Sequence, residues 1–252
     1  MKRLLYLLFF SAAAVCMSFF PERAWKNITR DEFEKASTLL ESFYSKYTIL
    51  SMTVTHASYK NYTTEVPYEQ VTGYFRMNKN SYHNFLMGVE TLQNEKFKIT
   101  VDSSRKLILV KNPDNLGEGG IKDIVKFNYE LSHSYITGYK TTDVKSGKIY
   151  RAEFNEKLPY TAYEMDISDE GLLRQLVIYY REEYPSDAAD EKSVKTKPRL
   201  SITYSQVNKA PIFSKDEFDH NKYITVSSKG FLPANKFNDY KVEDLRVTDR
   251  TY

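Results

Sequence analysis

The sequence predicts an α+β protein that is mainly antiparallel β-sheet, with one helix near the start and another in mid-chain. One segment with a helical hydrophobic period is followed by at least five short segments in which apolar and polar residues alternate. Turn-forming residues separate these segments, as in an antiparallel meander. The chain also contains 21 Tyr and 15 Phe, and aromatic residues are favoured in half-buried strands.

The first twenty residues predict an export signal. Lys2 and Arg3 precede an uncharged run over residues 4–15, and small residues cluster at 11–14. This is the pattern of a secretory signal peptide, and the run is shorter than the ~20 apolar residues of a transmembrane helix. We therefore expect a protein of the bacterial periplasm, with residues 21–252 forming a single domain.

Cys16 is the only cysteine in the chain, so the exported part has no disulfide. One interpretation makes Cys16 an ordinary small apolar residue of the signal. The alternative is lipidation of Cys16, which would anchor the protein to a membrane. Lipoprotein signals normally place a small residue before this cysteine, whereas here Val15 precedes it.

The charge pattern argues against nucleic acid as a partner. The chain has 36 basic and 33 acidic residues, and two of the basic residues lie in the signal. The charges are interspersed and form no basic stripe.

We also expect a monomer.

The first helix is predicted from a capping box and an apolar stripe. Thr29 and Glu32 have the spacing of a capping box. Phe33, Leu40 and Phe43 then share one face of an amphipathic helix of about five turns. We expect these three side chains to cover the sheet and to act as a lid on any hollow within it.

The meander is predicted over residues 50–56, 71–77, 82–87, 97–101 and 107–110. The second helix is predicted at 121–133. Strands follow near 135 and at 149–154, 162–167, 172–181 and 200–207, with a charged hairpin loop at 186–197. A short helical turn near 216–218 and short extended runs at 223–226 and 240–247 end the chain.

The sequence offers no catalytic or metal-binding motif, so we expect neither an enzyme nor a cofactor. His56 and His133 lack a second ligand at metal-binding spacing. Residues 166–171 are similar to the start of a calcium loop, but Val177 stands where the bidentate carboxylate is needed. No Gly-x-Ser-x-Gly sequence is present, and the glycines at 117–120 lack the lysine of a phosphate loop.

The apolar strand positions remain as candidate ligand-binding residues. Methionine is common in adaptable apolar pockets, and several of these positions are Met or neighbours of Met. An ordinary filled core is the alternative, and the sequence leaves both open. The candidate cavity residues are Met52, Val54, Phe75, Met77, Phe85, Met87, Phe97, Ile99 and Leu107.

The order of elements resembles the LolA-like periplasmic lipoprotein carriers. Local strings that resemble the family are GYF at 73–75, KNSY at 79–82, ETLQN at 90–94 and GLLRQL at 171–176. The resemblance spans about residues 29–220 and leaves an extension after about 222. It implies a strongly curved β half-barrel that wraps around the two helices and shields lipid or lipoprotein acyl chains in a hollow. The alternative function is a cell-envelope structural or protein-interaction module without a lipid ligand.

Overall fold

The computed structural model describes residues 23–114, 133–187, 190–228 and 230–246. Within these residues, one α-helix packs against a large curved sheet that is almost wholly antiparallel. The mainly antiparallel α+β class predicted from the sequence is confirmed. The predicted signal peptide and residues 121–132 of the predicted second helix lie outside the described residues, and His133 begins a 3-10 turn, His133–Tyr135.

The elements of the first half of the chain are β1 (Lys26–Asn27), α1 (Arg30–Lys46), β2 (Ile49–Tyr59), β3 (Glu69–Asn78), β4 (Ser81–Leu86), β5 (Val89–Gln93), β6 (Lys98–Asp102) and β7 (Leu107–Lys111). Those of the second half are β8 (Ile136–Val144), β9 (Gly147–Phe154), β10 (Tyr160–Ser168), β11 (Leu173–Tyr180), β12 (Tyr184–Asp187), β13 (Asp190–Thr196), β14 (Arg199–Asn208), β15 (Ile224–Ser227), β16 (Gly230–Pro233) and β17 (Lys241–Asp244). Two more 3-10 turns are His220–Lys222 and Asn235–Phe237.

Thirteen of these strands form one sheet in the order β1-β8-β9-β10-β11-β14-β2-β3-β4-β5-β6-β7-β17. Strand β14 returns to pair with β2, which joins the early meander to the later one. The pair β7–β17 is parallel, and the other pairs are antiparallel. Two hairpins, β12–β13 and β15–β16, stand apart from this sheet.

Helix α1 begins as the sequence predicts. The Thr29 hydroxyl accepts a hydrogen bond from the Glu32 backbone N–H, and the Glu32 carboxylate accepts one from the Thr29 N–H at 2.8 Å. The helix buries Phe33, Leu40 and Phe43 against the sheet. It presses closely on the β10–β11 turn, where Gly171 has φ +91 and a Cβ would overlap the Leu39 carbonyl oxygen.

The two faces of the sheet support different cores. We call the face that carries Leu50, Met52 and Val54 the inner face, because it packs against α1. We call the opposite face the outer face. On β5–β7 the fully buried apolar side chains, such as Ile99 and Ile108, lie on the outer face, since cross-strand partners share a face and successive residues alternate.

Residues 213–246 cover this outer core. Tyr223, Ile224 and Phe237 are buried against it, and Val242 of β17 pairs with Ile108 of β7. The extension predicted after about 222 is therefore integrated into the fold through a second core. Among the described residues, no helix has the length and hydrophobicity needed to cross a membrane.

Candidate binding groove

A groove of about 320 Å³ opens at the end of the inner face that α1 leaves uncovered. It lies where β2 and β11 end and where β3 and β14 begin. Its volume is at the lower end of the ~300–1,000 Å³ that is typical of ligand sites. The lining residues are His56, Ser58, Tyr68, Glu69, Val71, Met87, Tyr180, Tyr184, Pro198, Arg199 and Leu200.

The strand register places the groove next to the helix-covered core. His56 follows Val54 on the inner face of β2, since residues i and i+2 share a face. His56 pairs with Val71 across β2–β3, and Ser58 pairs with Leu200 across β2–β14. The inner face thus runs without a break in register from the core beneath α1 into the groove.

Arginine side chains fix the connections around the groove. The Arg199 guanidinium lies 3.8 Å from the Tyr59 ring centroid and donates a hydrogen bond of 2.8 Å to the Thr64 carbonyl oxygen. This holds the β2–β3 loop, which carries Tyr68. Arg181 donates to the carbonyl oxygens of Phe154, Asn155, Leu158 and Tyr160 and so holds the β9–β10 connection.

The groove lining includes one acidic and one basic side chain, Glu69 and Arg199. Burial lowers the pKa of His56 below its ordinary value, so its imidazole is neutral at pH 7. Within the described residues, no hydrogen bond joins the side chains of His56, Ser58 and Glu69, whereas an activated nucleophile needs its base within hydrogen-bond reach. The tyrosines add apolar area with a polar tip. This arrangement suits binding of an apolar chain that carries a polar group.

Comparison with known proteins gives matches at the level of structure. No family model and no curated protein sequence matches the chain. Among solved structures it is similar to lipoprotein LppX of Mycobacterium tuberculosis, with 10% identity, a TM-score of 0.38, and coverage of 74% of this chain and 100% of that chain. It is also similar to LprF from Mycobacterium bovis, with 12% identity, a TM-score of 0.32, and coverage of 71% and 95%. A LolA superfamily protein from Nitrosomonas europaea matches with 10% identity, a TM-score of 0.31, and coverage of 74% and 98%. The family that the sequence resembles is thus found among the structural matches.

The structure divides the nine candidate cavity residues between two faces. Met52, Val54, Phe75, Met77 and Leu107 lie on the inner face, the first four in or against the core under α1.

Three others lie on the outer face, because Phe85 pairs with Tyr74 and because Phe97 and Ile99 belong to the outer core. Met87 lies in the exposed β4–β5 turn and lines the groove. No single hollow on one face therefore contains all nine side chains.

The predicted lid residues lie in the inner core, but at different places. The Phe33 ring lies 4.8 Å from the Tyr139 ring and 6.2 Å from the Tyr150 ring, which places it over β8 and β9. The Phe43 ring contacts Tyr44 and Tyr47 at the other end of the helix. Movement of α1 as a lid stays a prediction.

A second cluster of ionisable groups lies on the outer face, centred on His83. Its Nδ1 lies 2.8 Å from an oxygen of Glu217, and its Nε2 lies 2.8 Å from an oxygen of Glu90. The Tyr223 hydroxyl donates to Glu90 at 2.7 Å, and Arg76 binds Glu217 at 2.8 Å. We call these five residues the His83 cluster. It is buried between β3–β5 and the C-terminal segment, on the face opposite the groove, so it joins that segment to the sheet.

The carboxylates of this cluster predict a loss of stability in acid. Burial raises the pKa of Glu90, but hydrogen bonds from His83 and Tyr223 together outweigh it and lower the pKa below 4.5. Burial likewise raises the pKa of Glu217, and hydrogen bonds from Arg76 and His83 lower it overall. Above pH 4.5 this stabilisation is fully present. As the pH falls below 4.5, these carboxylates take up protons in the unfolded chain before they do so in the folded protein. The free energy of unfolding therefore decreases until the pH is below the folded-state pKa values.

This loss can be measured as the urea midpoint at pH 7, 5 and 3.5. We expect the urea midpoint of Glu217→Gln to change less with pH than that of wild type. The variant lacks one of the two carboxylates whose protonation is linked to unfolding. An identical pH dependence in the variant and the wild type would contradict the assignment.

Sequence reasoning missed the groove as a site, although one signal was present. His56 continues the alternation of Leu50, Met52 and Val54, which already placed it on the apolar face. The contributions of Tyr180, Tyr184 and Leu200 depend on the pairing of β14 with β2, between residues some 140 positions apart in the chain. The His83 cluster gave no sequence signal, since its members are scattered from residue 76 to residue 223.

Proposed function

We propose that this protein is an exported, periplasmic binding protein for lipid or lipoprotein acyl chains, held in the groove on the inner face. The observation that carries the proposal is that the inner face runs in register from Met52 and Val54, beneath α1, to the open groove. The structural matches include a lipoprotein, LppX, and a LolA superfamily protein. Anchoring through Cys16 is the alternative to a freely diffusing periplasmic form.

The size of the groove favours one acyl chain in the conformation described. At about 320 Å³ it has room for a single chain segment, and buried side chains such as Leu50 and Met52 pack in the core beneath α1. Each buried CH₂ contributes about 0.8 kcal/mol, which is roughly a fourfold change in affinity. We expect affinity for saturated fatty acids to rise by about this factor per CH₂ and to level off once the chain exceeds the groove.

A carboxylate placed in the groove should abolish most of this binding. Val71 lines the groove, whereas its neighbour Thr72 is exposed on the outer face. We expect Val71→Asp to weaken the binding of a fluorescent fatty acid at least tenfold, or by about 1.4 kcal/mol. The reason is that the charged aspartate must be desolvated beside the acyl chain. Titration of the probe by fluorescence measures this.

Thr72→Asp is the matched control, with the same change one position away on the opposite face. It should bind the probe as wild type does. If both folded variants bind equally well, the groove is not the ligand site.

The second candidate function is an envelope protein-interaction module. Exposed apolar side chains such as Ile212, Val226 and Leu232 favour it, because such groups can bury area against another protein. Mass spectrometry of an organic extract and a pull-down from envelope extracts separate the two functions. Co-purified lipid supports the carrier, and a stable protein partner without lipid supports the module.

A further inference from the structure

The mouth of the groove carries apolar side chains that point into solvent. They come from the β2–β3 loop, the β4–β5 turn and the β12–β13 hairpin, and each is at least half exposed. Tyr68, Met87 and Tyr184 also line the groove. Val66 and Val194 are exposed and do not line the groove. Val66 is two residues from Tyr68 in sequence, and Val194 is two residues from Thr196, the hairpin partner of Tyr184. We call these five residues the rim.

Each of the three rim connections has a paired backbone position. The Tyr68 N–H donates to the Ser58 carbonyl oxygen at 2.9 Å, and the Ser103 N–H donates to that of Gly88 at 3.3 Å. Tyr184 pairs with Thr196 in the hairpin. Apolar tips on paired connections can enter a lipid interface without carrying unpaired backbone groups into it.

The charges near the rim disfavour attraction to anionic lipid. Residues 60–69 and 182–197 contain more acidic than basic residues. Binding of anionic headgroups uses clusters of lysine and arginine. Any lipid surface that the rim contacts is therefore a neutral one, reached by insertion of apolar side chains and of tyrosine, a residue enriched at membrane interfaces.

The distribution of these side chains favours a lipid surface over a protein. A standard protein interface buries about 800 Å² per partner around a contiguous apolar centre. Here the apolar tips come from three separate connections, and three of the five line the groove. An acyl chain that leaves a bilayer under the rim would pass directly onto the groove lining.

We propose that the rim is a membrane-docking surface that inserts its apolar tips into a zwitterionic bilayer and places the groove over the lipid. The proposal rests on the acyl-chain function of the groove. Docking removes the need for the acyl chain to cross water before it is bound.

The test is co-sedimentation of the full exported chain with phosphatidylcholine vesicles, using the double variant Val66→Asp/Val194→Asp. Neither valine lines the groove. We expect wild type to bind the vesicles and the variant to need at least tenfold more lipid for half-maximal binding. Titration of a soluble fluorescent fatty acid should give the same affinity for both proteins.

The control is Val226→Asp/Leu232→Asp, which places the same charges on exposed apolar positions of the β15–β16 hairpin. It should bind vesicles as wild type does. The proposal is overturned if wild type does not bind the vesicles, if the rim variant binds as tightly as wild type, or if the control loses as much. Binding to protein-containing membranes alone would identify a protein partner and likewise overturn it. A different result would separate the two proposals: only the rim variant loses vesicle binding, and wild type binds no fatty acid. That result would reject the groove as an acyl-chain site but would support the rim as a docking surface.

Discussion

Replacing His83 with alanine is expected to lower the free energy of unfolding by about 3–5 kcal/mol. The ring is buried, and both of its nitrogens lie 2.8 Å from carboxylate oxygens. The ring therefore bridges Glu90 of β5 and Glu217 of the C-terminal segment. Removing the ring deprives the Glu90 and Glu217 carboxylates of a hydrogen-bond partner while they stay away from solvent. Urea unfolding at pH 7 measures the change.

The same variant should loosen the C-terminal segment before the rest of the fold. Glu217 lies on that segment, and its contacts with His83 and Arg76 bind it to β3 and β4. We therefore expect limited proteolysis to cut within residues 213–246 earlier in His83→Ala than in wild type.

Lys241→Ala is the control for the His83 variant. It removes the ion pair between Lys241 and Glu243 on β17. The Lys241 side chain is largely exposed, and exposed ion pairs contribute little to stability. Its unfolding curve should overlie that of wild type. A His83 variant as stable as this control would show that the cluster does not hold the segment.

Replacing Phe33 with alanine is expected to cost about 3–5 kcal/mol of stability. The side chain is fully buried and packs among the rings of Tyr139, Tyr150 and Tyr163. The truncation leaves a cavity between α1 and the inner face that the surrounding rings fill only in part. Lys35→Ala, on the exposed side of the same helix, should stay within about 0.5 kcal/mol of wild type.

The Phe33 variant also tests whether α1 moves during ligand uptake. If long acyl chains displace the helix, weaker packing of α1 raises the rate at which a fluorescent fatty acid enters. We expect faster uptake in Phe33→Ala than in Lys35→Ala, measured by stopped-flow fluorescence. Equal rates would mean that the open groove admits the ligand with the helix in place.

Local patterns in the sequence determined the elements near the start of the chain. The capping box of Thr29 and Glu32 and the stripe from Phe33 to Phe43 define α1, because both are interactions within four residues in sequence. The alternation at 50–56 and at 71–77 likewise predicted β2 and β3, including the face that Met52 and Phe75 share.

Only the tertiary structure decided which apolar face is covered, and by what. Phe85, Phe97 and Ile99 have the same alternating pattern as Met52 and Val54, yet they lie on the outer face under the C-terminal segment. A period-two pattern shows that residues i and i+2 share a face. It cannot relate the faces of separate strands, because that depends on register and a shift of one residue exchanges the two faces. The groove and the His83 cluster follow the same rule, since both consist of contacts between residues far apart in the chain, and such contacts form only when the sheet has folded.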